Sequence, residues 1–388
     1  MKKVAISNFF RSKVNSLDPS KYPDTKFHLC SIPAFDKGKP EELLGNEIGS
    51  SKKVLIEGDV VLSRLIPHIK RVWEIPILNE NTVLGSGEWI VFNSTQVFGG
   101  YLRHFLQSEL FHKQFMATVK GVGGSLLRAD VSQTGKIEIP LPQLNTQQRI
   151  ATILDEADTL CKKTQQLIDS YDELAQSIFL DMFGDPVTNP KGFKIGKIRD
   201  LTLDVKYGTS AKASDIGKYT YLRMNNLTYS GYMDYSNLKY IDVDNDDLEK
   251  YSVRKGDLLF NRTNSKELVG KTAIVDSEKE MVIAGYLIRV RFNNRANPYF
   301  VWGYLNSVHG KLVLINMCKS IVGMANINAQ ELQGIKIHIP PVILQNQFAE
   351  KIALIEKQKE LAKQSLKESE DLFNTLLQKA FKGELEIK

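Results

Sequence analysis

The chain repeats itself, and that repetition limits what it can fold into more than any other feature. Gly58-Asp59-Val60-Val61-Leu62-Ser63-Arg64 returns 198 positions later as Gly256-Asp257-Leu258-Leu259-Phe260-Asn261-Arg262. In the same register Ile137-Glu138-Ile139-Pro140-Leu141-Pro142 meets Ile335-Lys336-Ile337-His338-Ile339-Pro340. Gln147 with Ile150-Ala151 meets Gln345 with Phe348-Ala349, and Phe183 falls on Phe381. Chance explains one short string of this kind and not four in one register. Stretches between the anchors, such as 67–81 against 263–280, have diverged. A copied framework with divergent inserts suits a protein that presents two different binding surfaces on one scaffold.

The second part of each copy reads as a long helix. Over 146–183 apolar residues recur at Ile150, Ile153/Leu154, Ala157, Leu160/Cys161, Leu167/Ile168, Tyr171, Leu174/Ala175, Ile178 and Met182, a seven-residue pattern broken only at Thr164. The matching frame over 345–381 gives Phe348, Ile352, Ile355, Ala362, Leu366, Leu372/Phe373, Leu376 and Ala380. Prolines precede each segment, Thr146 offers a cap to the first, and Gly184 and Gly383 stand where the helices should stop. At 1.5 Å per residue such a helix is about 54 Å long and needs a partner along its length. Antiparallel pairing of the two within one chain is the simplest arrangement; pairing between two chains is the alternative.

The first part of each copy mixes strands and short helices. Val54-Leu55-Ile56 and Val60-Val61-Leu62 read as strand, turn, strand around Gly58-Asp59, as do Tyr251-Ser252-Val253 and Leu258-Leu259-Phe260 around Gly256-Asp257. Trp89–Phe92 and Tyr286–Phe292 read as further strands, and 101–119 and 299–318 as short helices. The expected fold class is therefore α+β, with two tandem globular domains, each followed by a long helix, and the two helices pairing as an antiparallel coiled coil. The boundaries expected are 1–145, 146–185, 186–340 and 341–388.

A chain of 388 residues with 42% hydrophobic and 25% charged residues is a folded protein, not a disordered or fibrous one. No stretch nears 18 uninterrupted apolar residues, and the isolated Cys30, Cys161 and Cys318 fit neither a disulfide framework nor a zinc site. A reduced, cytoplasmic protein is the expectation. The net charge of +6 is unevenly placed: residues 186–340 hold 22 basic against 15 acidic residues, and 146–185 hold 3 against 8. The basic excess thus lies in the globular parts, where a polyanion would dock.

Catalytic constellations are missing from the sequence. There is no phosphate loop of the G-x-x-x-x-G-K-[ST] type. Gly121-Val122-Gly123-Gly124 opens no helix and reads as a loop, and Asn189-Pro190-Lys191-Gly192 reads as a turn. The six histidines find no metal-ligand spacing, and Asp242, Asp244, Asp246 and Asp247 lack the glycine of a calcium loop and read as a solvated acidic turn. Binding residues are easier to place. Asn261, Arg262, Thr263, Asn264 and Lys266 follow a strand and offer the amide, guanidinium, hydroxyl and ammonium groups that read base edges and hold phosphates. The matching stretch of the first copy contributes Ser63, Arg64, His68, Lys70 and Arg71. Ser210 and Lys212, Arg223 with Asn225 and Asn226, and Asn326 with Asn328 complete the candidates. Arg64 and Arg262, as a register-matched pair, have a second possible role in bracing the fold through backbone carbonyls.

Nearly the whole chain resembles the DNA specificity subunit of type I restriction-modification systems. The resemblance is carried by Gly256–Arg262, Tyr207-Gly208-Thr209-Ser210, the Ile-x-Ile-Pro entry to each helix, Gln147 and Gln345, and Phe381-Lys382-Gly383-Glu384-Leu385. It implies two target-recognition domains, each reading half of a bipartite, asymmetric site in double-stranded DNA, held apart by helices that dock two methyltransferase subunits. Restriction and translocase subunits would join them. S-adenosylmethionine, ATP and magnesium would belong to those partners, leaving this chain without cofactor, metal or catalysis. The first domain departs most from the pattern, with Leu65-Ile66-Pro67 where the second has Thr263-Asn264-Ser265. Two other readings stand beside this one: a coiled-coil scaffold that binds only proteins, and the specificity half of a standalone modification-cleavage enzyme.

Overall fold

A computed structural model describes residues 2–76, 81–121, 127–265, 268–321 and 324–385. The chain divides into two compact units: the first is Met1–Thr164 with Gln364–Lys388, the second is Gln165–Lys363. The fold class is the α+β one expected.

In unit 1 a five-stranded sheet runs in the order Ser16–Leu17, Lys52–Leu55, Val83–Gly85, Lys26–Cys30, Glu41–Leu44. A three-stranded sheet places Val60–Ser63 between Val72–Glu74 and Trp89–Phe92. Unit 2 builds a four-stranded sheet from Thr202–Tyr207, Leu287–Phe292, Leu258–Asn261 and Thr272–Ile274. A second sheet there comprises Lys239–Ile241, Tyr219–Leu222, Met281–Ile283 and Ser252–Val253.

The repeat governs strand register as well as sequence. Val60 pairs with Phe92 and Ser63 with Trp89; 198 positions on, Leu258 pairs with Val290 and Asn261 with Leu287. The parallel pairs His28 with Val83 and Thr220 with Met281 are separated by 192 positions on one side and 198 on the other. Six extra residues therefore lie between the two strands in the second copy.

The segments around the Gly-Asp motif are not hairpins. Lys52–Leu55 and Val60–Ser63 lie in different sheets, as do Ser252–Val253 and Leu258–Asn261. Gly58 and Gly256 turn the corner with φ of +75° and +89°, which a side chain would resist. Buried Asp59 then accepts from the Ile56 amide at 2.9 Å, and Asp257 from the Arg254 amide at 3.0 Å. Each carboxylate is also held by an arginine from elsewhere in the fold, Arg11 for Asp59 and Arg291 for Asp257. The acidic run at 242–247 also departs from expectation: Asp246 and Asp247 sit in the first turn of a helix, Asn245–Tyr251. Negative charge there faces the unpaired amides of the helix start.

The long helices are Leu144–Phe183 and Val342–Lys382. The first begins two residues before Thr146, which lies inside it and is not its cap. Both are followed by glycine at φ +80°, Gly184 and Gly383. At the head of each a buried glutamine ties helix to domain. Gln147 accepts from the Phe98 amide and donates to the Pro142 carbonyl, both at 2.8 Å. Gln345 does the same with Asn297 and Pro340, also at 2.8 Å.

Each unit takes the head of one helix and the tail of the other into its core. In unit 1, Ile150, Ala151 and Leu154 cluster with Leu377, Ala380 and Phe381, and Phe381 packs on Tyr101 and Phe105. In unit 2, Phe348, Ile352 and Ile355 cluster with Ala175, Phe179 and Phe183, and Phe183 packs on Phe300 and Phe348. Heads against tails mean antiparallel packing of the helices within each unit. Among the described residues no helix is long and apolar enough to cross a membrane.

Candidate nucleic-acid interface

Unit 2 contains a cleft of about 600 Å³ to which four separate stretches of sequence contribute. The strand Thr202–Tyr207 ends at Gly208, where a Cβ would lie 2.2 Å from the Ile283 carbonyl oxygen; only glycine passes this close. The chain then presents Thr209 and Ser210 at one wall. Arg223, Met224 and Asn225 form a second, and Arg262 and Thr263, just past the strand Leu258–Asn261, a third. Tyr221 and Tyr286 add aromatic surface. Five of the residues singled out in the sequence, Ser210, Arg223, Asn225, Arg262 and Thr263, thus meet in one place, and among the described residues the lining contains two arginines and no carboxylate.

Arg262 is placed for contact with a ligand. Its guanidinium carbon lies 4.9 Å from the centre of the Tyr207 ring, its Nε is buried without a hydrogen-bond partner, and no ion pair to it exists among the described residues. The Tyr207 hydroxyl is itself fixed, accepting from the Ala329 amide at 2.8 Å. Arg223 donates through Nη2 to the Asn237 carbonyl at 3.1 Å, while Asn225 is exposed beside it.

Other candidates in this unit serve the scaffold. Asn261 is fully buried as the last residue of its strand and accepts from the Thr263 amide, so it presents nothing to a ligand. Asn226, also buried, donates to the carbonyls of Asp234 and Asn237. Asn264 accepts from the Ser265 amide, and Asn328 caps the helix Ala329–Gly334. Asn326 accepts from the Thr263 hydroxyl at 3.1 Å and so braces a cleft residue. Lys212 is exposed just beyond Ala211, outside the lining. Lys266 lies outside the described residues, as does the Val122–Gly124 part of the glycine-rich loop.

In unit 1 the candidates spread over several small networks. Arg64 donates to Glu88 at 2.8 Å, and Arg128 grips the same carboxylate at 3.0 and 3.1 Å. The two guanidiniums outweigh partial burial and hold the Glu88 carboxyl below the usual glutamate range. Arg64 therefore braces the fold through a carboxylate, where backbone carbonyls had been expected. Arg71 is buried and bidentate to Asp36 at 2.7 and 2.8 Å, and Ser63 is buried with its hydroxyl on the Leu65 carbonyl. Neither faces a ligand. Lys70 is paired with Glu109, and His68 is exposed.

Sequence reasoning missed Tyr286, Tyr221 and Met224 as cleft residues and Glu88 and Arg128 as partners. A signal existed for one of them: position 286 is position 88 in the repeat register. Among the described residues no cluster of three His, Cys, Asp or Glu could hold a metal ion.

Comparisons with known proteins agree with one another. The chain matches the type I restriction modification DNA specificity domain over residues 35–170 and 190–370. It is 23% identical over 312 residues to the type I restriction enzyme EcoKI specificity subunit of Escherichia coli (strain K12), a match covering 74% of this chain and 66% of that one. It is 30% identical over 164 residues to the putative type I restriction enzyme MjaX specificity subunit of Methanocaldococcus jannaschii, covering 41% and 38%. The match thus spans less than two thirds of the length of either relative. Among solved structures, a chain from a study of complex assembly and conformational transition of the type I R-M system shares the fold at a TM-score of 0.59 with 19% identity, covering 99% of this chain and 98% of that one. The type I restriction-modification system S subunit from M. genitalium does so at a TM-score of 0.55 with 15% identity, covering 100% and 96%. With both copies of the repeat matched, the chain belongs to the type I restriction modification DNA specificity family.

Proposed function

We propose that this chain is the sequence-reading, non-catalytic subunit of a type I restriction-modification complex, and that each unit reads one half of a bipartite, asymmetric site in double-stranded DNA. The observation that carries this is the unit 2 cleft, where Arg223, Arg262, Asn225, Ser210 and Thr263 converge with no carboxylate in the lining among the described residues. Guanidinium and carboxamide groups pair with purine edges, and hydroxyls hold phosphates. Two methyltransferase subunits dock along the long helices, and restriction subunits join the assembly. Exposed leucines at seven-residue spacing support that docking: Leu167 and Leu174 on the first helix, Leu354 and Leu361 on the second. S-adenosylmethionine, ATP and magnesium are assigned to those partners.

Binding of the full chain, assembled with its methyltransferase, to duplex DNA should weaken log-linearly with salt, because phosphate contacts release counterions. Affinity that is indifferent to both salt and duplex sequence would refute DNA reading and favour the protein-only scaffold.

A further inference from the structure

The two units present one backbone frame at the register-matched arginines and fill it differently. The Arg64 amide donates to the Glu88 carbonyl at 3.1 Å, and the Arg262 amide to the Tyr286 carbonyl at 3.0 Å. The Ala129 amide donates to the Arg64 carbonyl at 2.9 Å, and the Ile327 amide to the Arg262 carbonyl at 2.9 Å. All three pairs of positions, 64 with 262, 88 with 286 and 129 with 327, keep the 198-residue register, so the main chain holds both arginines alike. The side chains around them do not match. Where unit 1 has Glu88, gripped by both Arg64 and Arg128, unit 2 has Tyr286, and Asn326 replaces Arg128. Losing the carboxylate releases Arg262, whose guanidinium lies over Tyr207 at the cleft instead.

From this difference we infer that Arg262 reads a guanine in the half-site of unit 2, with Tyr207 supporting its guanidinium, and that Arg64 makes no such contact in the half-site of unit 1. The inference rests on the DNA reading proposed above. Chemistry selects the base: a guanidinium offers a planar fork of donors, and guanine offers the matching pair of acceptors, N7 and O6, on its major-groove edge. An aromatic face under the fork restricts its swing without consuming its donors. In unit 1 the Nε of the corresponding guanidinium already donates to Glu88 at 2.8 Å, so Glu88 fixes its orientation and competes with DNA for it.

The test uses the full chain assembled with its methyltransferase and duplexes carrying its recognition site. The half-site of unit 2 is the one that changes when residues 186–340 are exchanged for those of a relative. Within it each guanine is replaced in turn by 7-deazaguanine, which lacks the N7 acceptor. At one position this should weaken binding by about 5- to 150-fold for the unaltered chain. R262A should bind with no preference at that position, and R262K with a weakened one, because lysine's ammonium lacks the planar fork that matches N7 and O6. Y286E, which restores the carboxylate of unit 1, should lose the same preference. Discrimination in the other half-site should persist in all three, showing that they are folded. If R262A weakens every duplex equally and lowers the salt slope by about one, Arg262 holds a phosphate and the inference falls. It falls equally if the half-site contains no guanine, or if R262A still discriminates at that position. Binding by the unaltered chain that ignores sequence altogether would instead sink the DNA reading itself.

Discussion

Asp59 and Asp257 close the same corner in the two units, and neither carboxylate touches the cleft. Asp257 satisfies the Arg254 amide and both nitrogens of the Arg291 fork while 3% exposed. Asp257→Ala should therefore cost unit 2 about 3–5 kcal/mol, because it strands a half-buried guanidinium in addition to opening the turn. Urea unfolding followed at unit 2 residues would check this. The motif was legible in the sequence, but its role was not: a Gly-Asp pair announces a turn, and only the fold supplies Arg291. Burial decided the fate of the other polar candidates in the same way. Arg71, Ser63, Asn226 and Asn261 look like ligand contacts in a string of letters and are interior fittings in the fold. Arg262, at the position of Arg64, has no ion pair among the described residues, and a tyrosine stands where unit 1 has Glu88.

At the level of elements, the long helices were the most legible part, since a seven-residue apolar period over ten turns has no competing explanation. The corner strands were the least legible. Local pattern reveals that Lys52–Leu55 and Val60–Ser63 are extended, not that they pair in different sheets. How a helix attaches to its domain was also out of reach. In unit 1 the short helix Gly99–Gln107 meets the long helix through fully buried His104, whose Nε2 lies 2.7 Å from Asp155. Burial first, then neighbouring Arg103, hold the His104 pKa below its ordinary 6.5 against the pull of Asp155 and Asp158. The folded state thus keeps the ring neutral where the unfolded chain would protonate it. This contribution is present in full above about pH 6.5 and is lost as pH falls through the lowered folded value. Unit 1 should unfold at lower urea at pH 5.5 than at pH 7.5, and His104→Gln should shrink that difference. A variant with the same pH dependence as the parent would place the effect elsewhere.

The whole molecule is organised so that unit 1 is discontinuous in sequence. Its core needs Leu377, Ala380 and Phe381 as much as Tyr101 and Phe105. Phe381→Ala should destabilise unit 1 by about 3–5 kcal/mol, the range for removing a buried phenylalanine. Hydrogen exchange should locate the loss around 99–116 and 144–160 and leave unit 2 protected. The register match of Phe183 with Phe381 was legible in the sequence, and the antiparallel pairing expected of the helices agrees with Phe381 joining unit 1 and Phe183 unit 2.

That discontinuity also sets an order in time. Unit 2 is one uninterrupted segment and is complete once Lys363 has left the ribosome. Unit 1, although synthesis starts with it, waits for the segment from Gln364 onward. At about 5–20 residues per second, the roughly 200 residues in between take on the order of 10–40 s. For that interval Tyr101, Phe105 and Ile150 lack the apolar surface of Leu377, Ala380 and Phe381 that covers them in the finished fold.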